Sequence, residues 1–561
     1  MYNLLGKEVR GRLGFPSGEI ATNSDTARWI IDNIPQIGWI VGKSTTIKSK
    51  EGNPEDIFLM TENGSGWNAV GFTNPGLEAT VESFKELKRV VPRGVFLMPQ
   101  IGEENEEGFR HCIEAFEELG DVVDGYELNI SCGHAKAGGI NLGYPDRAYS
   151  IVSTVAKTTR KPIIVKINAT SPDLVLMVKR VVEAGARAIS LINTIPGPYP
   201  ELSNEFGGHS GPDIFQTTYE TLQKLRKEVD VQMIVMGGIA GASDIRRLEE
   251  IDKNIFIGIG TALAEMDSDE IREYFNVLDI DLRDNTDFAK QMTKGKECRQ
   301  YQEFRVDSIE KYGNNLKLIK FDGQIDAGPG QYVFVKVDNK HSKPFSVAND
   351  KKGLEIVVKK VGETTSRMFD LRSGDQVKIR GPYGACFELP KNRAVVYVGA
   401  GCGIAPIHHA ATHYSGKKTF VVGAKTAAEL VYMNELKSMG TVVVSTDDGS
   451  FGRKGVVADL LKGFLATTKK YGTYFLNCGP EVVMDAAESV EKIYTDKDRI
   501  YHLVERMTSC GVGICGKCSI PYDNRTKKGG KRACVDGPVF SAIEFNPGLY
   551  RRDKAGNKVK V

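Results

Sequence analysis

The first 285 residues alternate short apolar runs with amphipathic runs at helical spacing. Examples of the apolar runs are 94–101, 125–130, 162–168, 188–193, 232–238 and 255–260. Helical patterns lie between them, for example at 172–185 and 213–229. Because repeated strand–helix units with nearly continuous apolar strands are typical of parallel sheets, this half is predicted to be α/β. At this length a closed (β/α)8 TIM barrel is the leading choice.

In such a barrel the chemistry takes place at the C-terminal ends of the strands. Several residues with useful chemistry fall at or near the predicted strand ends: Cys132, Lys166, Asn193, Gly238 and Gly260. We therefore expect these residues to face one site at one end of the barrel.

Three more domains and a linker are predicted after the barrel of residues 1–285. Residues 286–305 are polar and lack strand periodicity, which favours a linker or a helical connection. Short strands separated by Gly and Asp turns indicate an antiparallel β-barrel at 306–390. Residues 391–497 return to strand–helix alternation, which predicts an α/β nucleotide-binding domain. Residues 498–561 contain a cysteine cluster and form the last predicted domain.

Bulk composition limits the classes of partner. The formal net charge of the 561 residues is +2, which gives no electrostatic argument for nucleic acid or a membrane surface. We see neither a secretory signal nor an uninterrupted apolar run of about 18 residues, so a cytoplasmic location is expected. In such a chain, clustered cysteines indicate metal or redox chemistry more often than disulfides.

Four of the ten cysteines have the spacing C-x4-C-x2-C-x15-C, which matches the plant-type [2Fe–2S] ligand run. These predicted ligands are Cys510, Cys515, Cys518 and Cys534. Gly511, Gly513 and Gly516 would let the backbone wrap closely around a cluster. Structural zinc usually shows paired C-x2-4-C motifs, and only one C-x2-C pair is present. A [2Fe–2S] cluster is therefore favoured, with zinc or disulfides as the alternatives.

The segment KPFS resembles the R-x-[YF]-[ST] flavin motif of the ferredoxin-reductase superfamily, with lysine in place of the usual arginine. Taken alone, this segment is equally compatible with an ordinary strand. A glycine and two threonines downstream would offer backbone and hydroxyl donors to phosphates. The FAD residues predicted in this way are Lys343, Pro344, Phe345, Ser346, Gly362, Thr364 and Thr365.

A second glycine-rich turn, VGAGCGIAPI at 398–407, follows a strand and precedes a helical pattern. Small residues at Gly399, Gly401 and Gly403 would let a pyrophosphate approach a helix N-terminus, which predicts an NAD site. Cys478 and Gly479 lie in a C-G-P segment, and in the same superfamily such a segment lies beside the nicotinamide. The alternative for Cys478 is a buried thiol at a strand end. The acidic segment TDDGS favours NAD over NADP because a 2′-phosphate would be repelled.

Two segments carry a resemblance to a known family, ERMTSCGVGICGKC (505–518) and RACVDGPVF (532–540). Residues 306–545 as a whole resemble the electron-transfer subunit of class 1B dihydroorotate dehydrogenase. The first 285 residues resemble the FMN-containing catalytic subunit of the same enzyme, so the two subunits are predicted to be fused. The segments that carry this resemblance, in the family's order, are 68–76, 126–132, 165–168, 192–194, 207–212 and 236–262.

The resemblance implies oxidation of dihydroorotate to orotate in pyrimidine biosynthesis, with electrons passing through FMN, [2Fe–2S] and FAD to NAD+. It also implies a homodimer through the barrel. The resemblance also assigns a role to Cys132. The residues alone leave open whether this cysteine is a core thiol or a metal ligand. In the family's N-x-S-C segment the cysteine is the general base, a role that suits a thiol because its pKa lies near working pH.

Further site residues follow from the same resemblance. Those implied to bind substrate are Asn68, Val70, Gly71, Phe72, Asn129, His134, Asn193 and Thr194. Those implied to bind FMN are Ser17, Gly18, Lys43, Lys166, Gly238, Gly260 and Thr261. Amides suit a pyrimidine ring because each offers both a donor and an acceptor.

Two positions beside the cysteine depart from the family segment N-x-S-C-P-N. Gly133 replaces proline, and His134 replaces an asparagine that contacts substrate. One alternative is therefore an NAD(P)H-dependent reductase of another dihydropyrimidine, cyclic amide or enone. The other is an electron-transfer module with a catalytically idle barrel.

Overall fold

The computed structural model describes residues 1–18, 20–131, 144–294, 299–338, 341–468, 472–547 and 549–559. The chain divides into two compact units. The first unit comprises Met1–Cys298, Val512–Tyr522 and Arg552–Asn557. The second unit comprises Arg299–Gly511, Asp523–Arg551 and Lys558–Val561. Among the described residues, no helix is long and apolar enough to cross a membrane.

The first unit is built around a closed barrel of parallel strands. The strands of this unit are β1 (Tyr2–Leu4), β2 (Lys7–Val9), β3 (Leu13–Phe15), β4 (Ile37–Thr45), β5 (Phe58–Met60), β6 (Gly66–Asn68), β7 (Phe96–Ile101), β8 (Tyr126–Asn129), β9 (Ile163–Lys166), β10 (Ala188–Leu191), β11 (Ile195–Pro198), β12 (Phe206–Ser210), β13 (Gln232–Val235) and β14 (Phe256–Gly258). The barrel runs β3-β4-β7-β8-β9-β10-β13-β14 and closes on itself, so the predicted TIM barrel is confirmed.

Helices follow most barrel strands and cover the outside of the barrel. They are α1 (Ser24–Asn33), α2 (Leu77–Lys88), α3 (Glu106–Glu117), α4 (Pro145–Thr158), α5 (Leu174–Glu183), α6 (Phe215–Arg226), α7 (Ala242–Glu249), α8 (Ser268–Asp284) and α9 (Phe288–Met292). Their apolar faces and the outward side chains of the strands form one large buried cluster. A four-stranded antiparallel sheet, β11-β12-β6-β5, adds to this unit.

The interior of the barrel changes character along the strands. Successive side chains on a strand point to opposite faces, so Phe96, Met98 and Gln100 of β7 share one face. Phe96 and Met98 belong to an apolar cluster that also contains Leu4 and Val9 of the N-terminal hairpin. Gln100 lies nearer the C-terminal end of β7 and is fully buried. The barrel interior therefore becomes polar towards the end at which a TIM barrel carries its site.

The second unit contains a closed six-stranded antiparallel barrel, which confirms the antiparallel barrel predicted from the strand pattern. Its strands are β15 (Gln302–Tyr312), β16 (Leu316–Phe321), β17 (Tyr332–Asp338), β18 (His341–Asn349), β19 (Glu355–Lys359) and β20 (Gln376–Tyr383). Its helix is α10 (Glu363–Asp370).

A seven-stranded sheet, ordered β24-β23-β22-β21-β25-β26-β27, completes this unit. Its strands are β21 (Val395–Ala400), β22 (Lys418–Ala424), β23 (Thr441–Thr446), β24 (Arg453–Lys454), β25 (Tyr474–Cys478), β26 (Ile500–Leu503) and β27 (Val539–Ser541). The helices are α11 (Ile404–Thr412), α12 (Met433–Met439), α13 (Val457–Thr468) and α14 (Glu481–Glu491). Two short strands near the C-terminal end are β28 (Arg551–Arg552) and β29 (Lys558–Val559).

The predicted domain boundaries stay predictions, and the structure adds two observations to them. Strand β15 already begins at Gln302, inside the stretch 286–305 that was predicted as a linker. Strands β26 and β27 lie beyond the boundary predicted at residue 497, yet they extend the sheet of the preceding domain. The cysteine-rich segment therefore shares a sheet with its neighbour.

Candidate functional site

A pocket lies at the C-terminal ends of the barrel strands. It brings together seven of the residues predicted to bind FMN or substrate. These are Ser17, Lys166, Asn193, Thr194, Gly238, Gly260 and Thr261. The predicted FMN residues Gly18 and Lys43 are not among the residues that line it. Residues far apart in sequence thus converge where the barrel fold predicts a site.

The turn after β13, the seventh barrel strand, is made by two glycines with positive φ, Gly237 at 110° and Gly238 at 78°. A Cβ atom on Gly238 would lie 2.5 Å from the backbone nitrogen of Phe215, the first residue of α6. The turn can therefore approach the start of α6 only without a side chain.

The turn after β14, the eighth strand, carries Gly260 and Thr261. The Thr261 hydroxyl donates to Ser210 Oγ at 2.9 Å, and Ser210 Oγ donates to the Gly66 carbonyl at 3.2 Å. Loops after the seventh and eighth strands form the usual phosphate site of this fold. The bare backbone at Gly238 and the hydroxyls of Thr261 and Ser210 fit the phosphate of FMN. Sequence reasoning missed Ser210, although it lies in the GGHSGP segment.

A chain of buried polar side chains runs up to the pocket from inside the barrel. The Gln100 amide donates to Glu127 Oε1 at 2.5 Å, and Asn129 Nδ2 donates to Gln100 Oε1 at 3.2 Å. Asn193 Nδ2 donates to Ser131 Oγ at 3.1 Å and lies 3.5 Å from Asn129 Oδ1. The two predicted amides, Asn129 and Asn193, are thus held side by side.

Sequence reasoning missed Gln100 and Glu127, which support these amides. Their signal is visible in hindsight, because each is the one residue with a carboxylate or amide side chain in its otherwise largely apolar stretch, FLMPQI and GYEL. The predicted base Cys132 and the predicted substrate residue His134 lie outside the described residues.

The remaining predicted substrate residues fall into two groups. Asn68 Nδ2 donates to the Gly208 carbonyl at 3.0 Å, and the Thr194 amide donates to Asn193 Oδ1 at 2.9 Å. Asn68 and Thr194 both lie against Gly208, whose added Cβ would contact both side chains. Val70, Gly71 and Phe72 are not among the residues that line the pocket, and Phe72 has a positive φ of 56°.

In the second unit the predicted flavin segment Lys343–Ser346 lies within β18. Gly362 is the residue before α10, and Thr364 is buried in its first turn. The Thr365 hydroxyl accepts from the backbone nitrogens of Val361 and Gly362, both at 2.9 Å. Thr365 therefore caps the start of α10, and its contact with a phosphate stays a prediction.

The predicted nucleotide turn lies where the strand order of the sheet reverses. From β21 the chain proceeds to β22 and β23 on one side, and β25 lies on the other side of β21. Ligands of open α/β sheets bind at such a switch point, beyond the carboxyl ends of the strands. Gly399, the last residue but one of β21, pairs with Cys478 of β25, and these are two residues of the predicted NAD site.

Close packing explains the glycines of this turn. Gly401 has a positive φ of 58°, and a Cβ on Gly403 would overlap the Cys478 carbonyl. A Cβ on Gly479 would lie 2.9 Å from Ala400 Cβ. Burial raises the pKa of the Cys478 thiol well above its usual value, so this thiol stays neutral at the strand end.

Each of the four clustered cysteines is buried, with at most 4% of its surface exposed. They are Cys510, Cys515, Cys518 and Cys534. The three glycines between the first three cysteines, Gly511, Gly513 and Gly516, have positive φ values of 78°, 78° and 67°. The backbone of this segment therefore takes the left-handed conformation at each glycine, and the role of each cysteine as a ligand stays a prediction.

Three stretches of the chain match models of protein families. Residues 1–270 match dihydroorotate dehydrogenase. Residues 303–387 match the oxidoreductase FAD-binding domain. Residues 505–546 match the iron–sulfur cluster binding domain of dihydroorotate dehydrogenase B.

Two relatives and one solved structure are similar to parts of the chain. A protein of Pyrococcus horikoshii named probable dihydroorotate dehydrogenase B (NAD(+)), electron transfer subunit, is 38% identical over 235 residues, which cover 41% of this chain and 86% of that protein. The protein of the same name from Methanocaldococcus jannaschii is 32% identical over 262 residues, which cover 46% and 96%. A solved structure of DHODH from Eimeria tenella is 19% identical and covers 46% of this chain and 78% of that chain, with a TM-score of 0.41.

The catalytic barrel, the FAD-binding barrel and the iron–sulfur segment define an oxidoreductase that uses FMN, FAD and an iron–sulfur cluster. The chain belongs to the dihydroorotate dehydrogenase B family. The region that matches dihydroorotate dehydrogenase precedes the region that matches the electron transfer subunit, so the predicted fusion in one chain is confirmed.

Proposed function

We propose that this enzyme oxidises dihydroorotate to orotate and transfers the electrons to NAD+, as a step of pyrimidine biosynthesis. The observation that carries the proposal is the presence in one chain of a dihydroorotate dehydrogenase region, an FAD-binding region and the iron–sulfur region of dihydroorotate dehydrogenase B. The coupling to NAD+ is supported by the names of the relatives and by the glycine turn at the switch point of the sheet.

The barrel pocket would hold FMN. Gly238, Thr261 and Ser210 would receive its phosphate, and Lys166, which lines the pocket, would balance negative charge on the ring. When bound, the flavins supply two-electron chemistry and the iron–sulfur cluster supplies single-electron transfer between them.

Cys132 would remove the C5 proton of dihydroorotate as general base. Its neighbour Ser131 accepts a hydrogen bond from Asn193, which also lies beside Asn129. The two amides would bind the N–H and C=O groups of the pyrimidine and hold its ring in one orientation. Fixing the ring in this way places C5 at one constant position relative to the base.

The test is an anaerobic flavin-reduction experiment on the purified full chain with its flavins and cluster. Dihydroorotate should bleach the flavins, and NAD+ added afterwards should yield NADH. Cys132→Ala should slow bleaching by dihydroorotate by roughly 100-fold or more, the usual range for a lost general base. Bleaching by NADH should stay at the wild-type rate, because that reaction does not need the base.

Cys386→Ala is the matched control, because Cys386 is an exposed thiol in the second unit. It should behave as wild type with both reductants. Failure of dihydroorotate to bleach the wild-type flavins, with rapid bleaching by NADH, would refute the proposed substrate. Unchanged bleaching in Cys132→Ala would refute the proposed base.

A second candidate is an NAD(P)H-dependent reductase that acts on another dihydropyrimidine, cyclic amide or enone. The observation that favours it is His134, together with Gly133, in place of the family's residues. Oxidation of the NADH-reduced enzyme by members of such a substrate panel, but not by orotate, would favour this candidate. A cytoplasmic location and a homodimer through the barrel also stay predictions.

A further inference from the structure

Three side chains that commonly bind metal ions meet at the C-terminal end of α11 in the second unit. His409 lies in the last turn of α11, and His413 is the residue that follows the helix end at Thr412. Residues four apart lie on the same face of a helix, so the two imidazoles are neighbours. Asp350, which follows β18, faces them from the flavin barrel.

The distances fit metal coordination. Asp350 Oδ1 lies 3.4 Å from His409 Nε2 and 3.2 Å from His413 Nε2. Two ligands that each lie about 2.0–2.1 Å from a tetrahedral zinc ion are about 3.3–3.4 Å apart. All three candidate ligand atoms lie within 4.8 Å of one another. The remaining pair is formed by the ring nitrogens of His409 and His413. A small rotation of the partly exposed His413 side chain would bring these two atoms to the same spacing.

The burial of His409 adds to this geometry. Its side chain is fully buried, its Nδ1 has no hydrogen-bond partner among the residues that the structure describes, and its Nε2 lies 3.4 Å from Asp350 Oδ1 without a well-aligned hydrogen bond. An unsatisfied buried polar group costs roughly as much as a lost hydrogen bond, so such groups are rare. The adjacent His408 is different, because its Nδ1 lies 2.8 Å from the Ala348 carbonyl and its ring stacks on Tyr432.

We propose that Asp350, His409 and His413 bind one divalent transition-metal ion, with Zn²⁺ as the expected ion. Two imidazole nitrogens and one carboxylate oxygen are a common zinc ligand set, and water would complete the tetrahedron on the side of the exposed His413. The ion would join the end of β18, the strand with the predicted flavin residues, to α11, the helix that follows the nucleotide turn. By binding residues of both, the ion would fix these two elements to each other.

The experiment uses the full chain with its flavins and cluster in place, freed of loosely bound metal by a brief chelator wash. Zinc is then added in a calorimetric titration. We expect one equivalent to bind, with an affinity that falls more than about tenfold in Asp350→Asn and in His413→Ala. His413 is partly exposed and Asp350→Asn keeps the size of its side chain, so folding is preserved where substitution of the buried His409 could disrupt it. His111→Ala, at an exposed histidine of α3, is the matched control and should bind zinc as wild type does.

Zinc K-edge absorption spectroscopy identifies the ligands. The proposal expects only nitrogen and oxygen neighbours at about 2.0–2.2 Å. Sulfur neighbours at about 2.3 Å would place the ion on cysteines and overturn the proposal. Equal binding by wild type and both variants, or no binding by wild type, would also overturn it. None of these results depends on which substrate the enzyme oxidises.

Discussion

Two buried glutamates, one in each unit, have the same side chain and opposite surroundings. Glu127, inside the catalytic barrel, accepts hydrogen bonds on both oxygens, from Gln100 at 2.5 Å and from Ser190 at 2.6 Å. Glu491, at the end of α14, accepts one hydrogen bond from Asn477 at 2.9 Å. Its other oxygen has no hydrogen-bond partner within the described part of the chain.

The difference shows that the donors around a buried carboxyl group decide its use. Burial, reinforced by the charge of Glu488, raises the pKa of Glu491 to about 8, so this group is a neutral acid in the core of the sheet at neutral pH. Glu127 instead has a donor for each oxygen, and it fixes Gln100, which in turn accepts from Asn129 below the pocket. One carboxyl group holds a proton, and the other orients a site.

The largest expected effect is on stability at alkaline pH. The pKa of Glu491 is raised from 4.5 to about 8, so the unfolded chain loses this proton between these pH values while the folded chain keeps it. The free energy of unfolding therefore falls as the pH rises from 4.5 to 8, by up to about 5 kcal/mol in total. Glu491→Gln should remove this loss and make the second unit more stable than wild type at pH 8.

Urea unfolding of the second unit at pH 5 and pH 8 measures this effect, with the release of FAD as the signal that reports unfolding. Glu435→Gln, at an exposed glutamate of α12, is the control and should keep the wild-type dependence on pH. The same pH dependence in Glu491→Gln and wild type would mean that Glu491 is ionised in the folded protein.

The next effect concerns the barrel. Glu127→Leu should destabilise the first unit by about 3 kcal/mol, because it leaves the buried donors of Gln100 and Ser190 without an acceptor. The KM for dihydroorotate should rise as well, because Gln100 no longer holds Asn129 in place. Tryptophan fluorescence isolates this unit during unfolding, since all three tryptophans, Trp29, Trp39 and Trp67, belong to it.

Glu127→Gln is the matched control for this substitution. It keeps an acceptor for one donor, and the Ser190 hydroxyl can rotate to accept from the new amide, so the loss should be less than half of that in Glu127→Leu. Equal losses in the two variants would show that shape, and not hydrogen bonding, sets the requirement at this position.

The smallest effect is expected from Ser190→Ala, which removes one of the two donors to Glu127 and leaves Gln100 in place. The expected loss in stability of the first unit is about 1 kcal/mol. Reduction of the flavins by NADH should not change. A loss as large as that of Glu127→Leu would show that Ser190, and not Gln100, is the main partner of Glu127, and the same fluorescence measurement decides this.

The candidate site was only partly predictable from the sequence. Gly238 and Gly260 fall at predicted strand ends, so the barrel rule placed them near one another, whereas Thr261 was implied by the resemblance; the pocket contains all three. Ser210 lies in a short antiparallel sheet, and no periodic pattern relates it to Thr261. Lys43, which the family resemblance implied, lies within β4 and is not among the residues that line the pocket.

The sequence by itself determined the features that depend on local spacing. These are the parallel barrel, the antiparallel barrel, the C-x4-C-x2-C-x15-C run and the glycine turns, since hydrophobic period and backbone freedom are properties of neighbouring residues. Only the tertiary structure decided which polar groups meet. The register that places Gln100 opposite Glu127, and the packing that brings Asp350 to His409, depend on strands and helices far apart in the chain. No local pattern encodes such a pairing, because it is set by how whole elements pack.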